Sequence, residues 1–251
     1  MENKTFHITW CYPDLLNLHG DRGNIMALER VGRLLGLEVI VHKIINLEDA
    51  IDFENSDMLF FNPGELKIVK PMVEALREKK EALTNYIESG KLIVAIGTSG
   101  AIFSKEVKRL NETFEGLGYL DMTCTEREMV YGDDIIFNLI EEETVEINGS
   151  QIQMIDTTLH TPDIALGKLS YGRGNDGLEE KLEGAKYHNV IFTNCLGPLF
   201  VKNPWYAEKL IREAMAAKGI SLEKEIDPKE YELEFNSMEC IKQYQEKKLS
   251  K

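Results

Sequence analysis

Four short apolar runs separated by helix-forming stretches occupy the first hundred residues, and that alternation leaves few architectures open. The runs are residues 6–11, "LEVIVHKI", "DMLFF" and "LIVAI". "DMLFF" is apolar almost throughout, as a strand covered on both faces should be. Between the first two runs, Ile25, Leu28, Val31, Leu34 and Leu35 recur at helical spacing, and Gly36 closes the helix. Between the last two, Val69, Met72, Val73, Leu76, Leu83, Tyr86 and Ile87 predict one long amphipathic helix over residues 68–88. Strands alternating with helices imply a parallel sheet flanked by helices on both faces. Ligands of such sheets gather at the carboxyl ends of the strands. The turns at residues 12–24, 62–66 and 97–101 fall there and can line one crevice.

The second half reads differently. From about residue 122 to 171 it offers short β-type runs: "DIIFNLI", "ETVEING", "QIQMIDTT" and "KLSYG". "ING" followed by Ser150 suggests a hairpin turn. "NVIFTN" is another buried strand, and Pro204 sits where the first turn of a helix tolerates it, ahead of "WYAEKLIREAMAAKG". The tail, residues 227–251, is charged and helical in pattern. The expectation is one α/β domain over residues 1–251, with an irregular β-rich second half.

Charge narrows the partners. With 29 Lys+Arg against 43 Asp+Glu, the formal net charge is -14. Such a surface argues against nucleic acid or an anionic membrane. Cys11, Cys124, Cys195 and Cys240 are far apart and form no CxxC pair, so neither a zinc ribbon nor a disulfide framework is expected. The first residues lack the apolar stretch of a secretory signal, and no run reaches the roughly 18 apolar residues of a membrane span. The chain therefore reads as cytoplasmic, with no metal or cofactor implied.

Several stretches could carry chemistry. "KLIVAIGTSGAIF" is a strand, a glycine turn and a helix, the geometry that presents a nucleophile. "GTSGA" formally fits the serine elbow pattern. A serine there needs a histidine base and an orienting acid, and none of His7, His19, His42, His160 and His188 stands in an evident motif. Cys195 follows an apolar strand, where a buried structural thiol competes with a nucleophile. "HGDRGN" reads equally as a helix N-terminal loop or as a polar docking or ligand loop, with Asp21, Arg22 and Asn24 as its candidates. "NDGLEEKLEG" lacks calcium-loop spacing. Gly172, Gly174 and Gly177 do not have dinucleotide-fingerprint spacing.

"YPDLLNLHGDRGNIMAL", "FEGLGYLDM" and "GRGNDGLEEKLEGAKYHNVIFTNCLGPLFVKNPWYAEKLI" together resemble the GatD-like members of the CobB/CobQ-like branch of class I glutamine amidotransferases, glutaminase subunits of lipid II isoglutaminyl synthase. The resemblance spans nearly the whole chain in the right order. It implies a flavodoxin-like three-layer fold, hydrolysis of glutamine through a cysteine thioester, and a Mur-ligase-like (MurT-like) ATP-dependent partner that consumes the ammonia. The family's nucleophile sits in a V-C-G-G-Y-Q elbow and its base in an H-G-P turn, with oxyanion donors at the elbow and at a glycine turn after an earlier strand.

Carried over residue by residue, the nucleophile position is Gly97, the elbow glutamine is Ala101, and the base position is Leu196 within "CLGPLF". Gly64 in "NPGE" survives from the oxyanion turn, with Gly97 and Thr98 at the elbow, and the E-N-H-type motif is absent from "QMIDTTLHTPD". The resemblance thus implies a subunit that keeps the scaffold without the glutaminase chemistry, docking to or regulating a ligase in cell-wall or cobalamin-type amidation. Two alternatives stay open: an active hydrolase using Ser99 or Cys195, and a sensor that takes a small anionic or amino-acid ligand in the emptied crevice.

Overall fold

In the computed structural model, which describes residues 4–19, 22–178 and 181–249, the alternating first half becomes a layered sheet. Its elements are β1 (Thr5–Cys11), α1 (Gly23–Leu34), β2 (Glu38–Ile44), β3 (Met58–Phe61), α2 (Val69–Arg77), α3 (Lys80–Glu88) and β4 (Leu92–Ile96). The chain continues through α4 (Gly100–Phe103), β5 (Ser104–Lys108), β6 (Thr113–Glu115), β7 (Leu120–Leu139), β8 (Glu146–Leu159) and β9 (Gly167–Tyr171). Last come β10 (Leu182–Glu183), β11 (Ala185–Tyr187), β12 (Val190–Thr193), α5 (Leu199–Lys202), α6 (Pro204–Ala217) and α7 (Glu232–Leu249).

The first sheet has the order β11-β12-β4-β3-β1-β2. All its pairings are parallel except the edge strand β11. The parallel part follows the doubly wound order in which the chain reverses direction beside β1. Alternation along each strand feeds two cores. Phe6, Ile8, Trp10, Met58, Phe60, Val94 and Ile96 pack with α1 and α6. Leu59, Phe61, Ile93, Ala95, Val190 and Phe192 pack with α2 and α3 on the other face. Both faces are covered, which is why the central strands read as unbroken apolar runs.

The second sheet has the order β10-β9-β7-β5-β6, with β8 added along β7. It is mostly antiparallel and dominated by the long β7–β8 hairpin.

Two sequence expectations are corrected here. The helix expected over residues 68–88 is two helices, broken at Glu78 and Lys79. The charged run Arg77–Lys80 offers no apolar side chain to the sheet, and Lys79 Nζ instead donates to the carbonyls of Leu47 (3.3 Å) and Ala75 (3.5 Å). The hairpin turn expected at Gly149–Ser150 is also displaced. Those residues lie inside β8, and the reversal falls between Leu139 and Glu146. The tail is helical from Glu232 and folds back: Phe235 stacks on Trp205 at 4.7 Å, and Lys242 meets Glu146 at 2.8 Å. Among the described residues, no helix is long and apolar enough to cross a membrane.

Candidate functional site

The three turns expected at the strand ends do meet. β3 and β4 are parallel neighbours, with Phe61 beside Ala95, so the turns that leave them run side by side. Gly64, after β3, exchanges two hydrogen bonds with Thr98, after β4. The Gly64 N–H donates to Thr98 Oγ1 at 2.9 Å, and the Thr98 hydroxyl donates to the Gly64 carbonyl at 2.6 Å. The loop after β1 closes over them: Leu18 N–H donates to the Pro63 carbonyl at 3.1 Å. Leu16, itself buried, presses so near Gly64 that a Cβ built there would lie 2.6 Å from Leu16 Cδ2.

Gly97 occupies the elbow with φ +57°. This left-handed conformation costs an L-residue about 1–2 kcal/mol, and a strand-to-helix turn this sharp needs it. A Cβ built on Gly97 would lie 3.6 Å from Leu196 Cδ2 and 3.3 Å from Pro63 Cβ. The residues at 97 and 196 thus face each other across the elbow, and hydrocarbon fills the space between them.

Leu196 is delivered by the second sheet. Its N–H donates to the Ser150 carbonyl at 2.7 Å and its carbonyl accepts from Ser150 N–H at 3.1 Å, so β8 grips the turn after β12. Gly149 makes this possible. A Cβ there would sit 2.3 Å from Cys195 Sγ and 2.5 Å from the Leu196 carbonyl oxygen. A glycine inside a strand is often the mark of such a close backbone approach.

The fallback nucleophiles are not poised. Ser99 is wholly buried, and its hydroxyl donates to the carbonyls of Ile96 (2.9 Å) and Phe61 (3.1 Å), which makes it a turn-stabilising group and not a partner of an imidazole. Cys195 is wholly buried against Gly149 with its N–H donated to Thr193 Oγ1 at 3.0 Å. Four of the five histidines are engaged elsewhere. His7 and His42 pair at 3.2 Å, His160 lies between Asp121 (2.6 Å) and Thr123 (2.9 Å), and the His188 ring contacts that of Tyr187. His19 lies in the loop after β1, where partial burial lowers its pKa.

The loop candidates separate. Asp21 lies outside the described residues. Arg22 pins its own loop, donating to Asn17 Oδ1 (3.1 Å) and Asp14 Oδ1 (3.2 Å). Asn24 is fully buried, which fits the expectation that this loop shapes the crevice and not that it contacts a partner: its Oδ1 accepts the N–H of Phe200 at 2.8 Å and ties α1 to α5, just past the Leu196 turn.

A buried polar cluster at the end of β12 is invisible in the sequence. Glu183 accepts from Thr193 Oγ1 (2.7 Å), Asn194 N–H (2.7 Å) and Asn194 Nδ2 (3.1 Å), and Asn175 bridges Asn194 to Gly184. Burial raises the pKa of Glu183, and these hydrogen bonds only partly oppose it. Its residues come from three separate segments without periodicity, so only their partners reveal them. Among the described residues no group of three or more His, Cys, Asp or Glu could hold a metal.

Comparison with known proteins decides the family. Subunit GatD of lipid II isoglutaminyl synthase (glutamine-hydrolysing) from Streptococcus pneumoniae is 32% identical over 217 residues, covering 84% of this chain and 81% of that protein. The same subunit from Staphylococcus aureus is 31% identical over 216 residues, covering 85% of this chain and 86% of that protein. The chain belongs to the GatD family.

The fold of this GatD-family chain is also that of solved glutamine amidotransferases. One such structure superposes with a TM-score of 0.54 at 13% identity, covering 82% of this chain and 98% of the other. PurLQS from Thermotoga maritima superposes with a TM-score of 0.53 at 14% identity, covering 85% and 98%. No protein-family model matches the chain. At the elbow of this GatD-family chain a glycine and a leucine face each other, and the Thr98 hydroxyl reaches into the neighbouring turn.

Proposed function

We propose that this chain is the amidotransferase-fold subunit of a lipid II-amidating complex and does not itself hydrolyse glutamine. One observation carries the reading: a side chain begun at Gly97 would meet Leu196, whose Cδ2 lies 3.6 Å from a Cβ built there. These are the two places where the resemblance puts the nucleophile and its base. A thioester route needs a sulfur to attack the amide carbon and an imidazole to carry the proton to the leaving ammonia. A hydrogen atom and an isobutyl group do neither. Because nucleophile and base act as a unit, losing both removes nearly all of the covalent rate enhancement.

What remains is a scaffold. The loop after β1, the turns at Pro63 and Gly97, and the Leu196 turn keep the shape of the crevice mouth. On this reading a Mur-ligase-like ATP-dependent subunit docks on the chain and draws on free ammonia, while this subunit stabilises or regulates the ligase. The hydrocarbon over Gly97 speaks against a small ligand in the crevice.

The test is reconstitution with the cognate ligase. Lipid II amidation is expected with ammonium and absent with glutamine as sole nitrogen donor. The ligase alone should be less stable or less active than the pair. Glutamine-dependent ammonia release well above that of the ligase alone would overturn the proposal.

A further inference from the structure

We propose that Thr98 locks the oxyanion position of the elbow, so that restoring the nucleophile and base alone would leave the site silent. The inference rests on the reading of Gly97 and Leu196 given above.

An elbow that forms a tetrahedral intermediate holds the negative oxygen with two backbone N–H groups. One belongs to the residue after the elbow position, and the other to the loop leaving a neighbouring strand. In this chain the residue after the elbow is Thr98, and the neighbouring turn presents Gly64. The Gly64 N–H is spent on Thr98 Oγ1 at 2.9 Å, and the hydroxyl proton is spent on the Gly64 carbonyl at 2.6 Å. The hydroxyl is buried, so solvent does not compete for it.

The turn cannot swing free of this ring. Leu16 and the Leu15 carbonyl crowd Gly64, and Leu18 N–H holds the Pro63 carbonyl at 3.1 Å. An incoming oxyanion would have to displace the Thr98 hydroxyl before it could take the Gly64 N–H as its second donor. Serine at position 98 keeps the oxygen that fills the site; glycine or alanine removes it and leaves the Gly64 N–H directed into the crevice.

The experiment compares three versions of the full chain: Gly97→Cys with Leu196→His, the same pair with Thr98→Gly, and the same pair with Thr98→Ser. Labelling of the introduced thiol by iodoacetamide reports the nucleophile, and ammonia release from glutamine reports turnover. Labelling is expected in all three. Release is expected with Thr98→Gly at about a hundredfold or more above the other two, the loss typical of one oxyanion donor. Similar release with Thr98 intact, or no release with Thr98→Gly despite labelling, overturns the lock.

Failure to label the introduced thiol in any version contradicts the pairing of positions 97 and 196, and with it the proposed function. The lock is then judged on otherwise unchanged chains by hydrogen exchange at the Gly64 amide. Thr98→Ala should exchange about fivefold faster or more, and Thr98→Ser should match the natural chain. Equal exchange in all three overturns it.

Discussion

Gly97 carries the elbow because its φ of +57° and the nearness of Pro63 Cβ leave little room for a side chain. Gly97→Ala should therefore cost about 1–2 kcal/mol, a fall of about 2–8 °C in melting temperature; an unchanged melting temperature would mean that the turn relaxes. The cysteines make a second prediction at this scale. Cys11, Cys124 and Cys195 are buried, and Cys240 is exposed. Burial pushes the Cys11 thiol far above its usual range and that of Cys124 up to about 12. Only Cys240 should take up iodoacetamide in the native protein at neutral pH, read by peptide mass. A native adduct on Cys195 would revive it as a displaced nucleophile.

At the level of elements, the contact that builds the site is the grip of β8 on the turn after β12. It requires Gly149, where a Cβ would meet the Cys195 sulfur and the Leu196 carbonyl oxygen. Gly149→Ala should cost about 3 kcal/mol, the upper end of overpacking penalties, in urea denaturation. Gly132 on β7 is the control. The nearest atom to a Cβ there is the Gln151 carbonyl oxygen at 4.0 Å, so Gly132→Ala should stay within about 0.5 kcal/mol. Equal costs at the two positions would show that the β8 approach is not specifically required.

Across the molecule, stability should carry the mark of Glu183. Its pKa is raised in the folded chain, first by burial, so the native state holds that proton more tightly than the unfolded one. Where the native state binds more protons, stability falls as pH rises. The contribution is fully present below the unfolded carboxyl range and is lost as pH climbs through the raised folded value. Urea midpoints measured upward from pH 4.5 should decline in the natural chain more steeply than in Glu183→Gln. Parallel profiles would mean that the carboxyl stays ionised and compensated throughout.

The sequence by itself determined the parallel sheet, because apolar runs such as "LIVAI" and "DMLFF" can be satisfied only when both faces are covered. It also placed the three turns at one end of that sheet and, through the resemblance, identified Gly97 and Leu196 as the positions to watch. It misread the 68–88 helix, where charge at Arg77–Lys80 interrupts a periodicity that otherwise continues. It misread Gly149 as a turn residue, because a glycine required by a close approach of distant backbone looks no different in sequence from one required by a turn. Tertiary structure alone decided that Leu196 lies over Gly97, that the Thr98 hydroxyl fills the neighbouring turn, and that Asn24 faces inward. Each of these depends on contacts between segments dozens of residues apart or more, set by how two sheets pack, and local pattern carries no record of them.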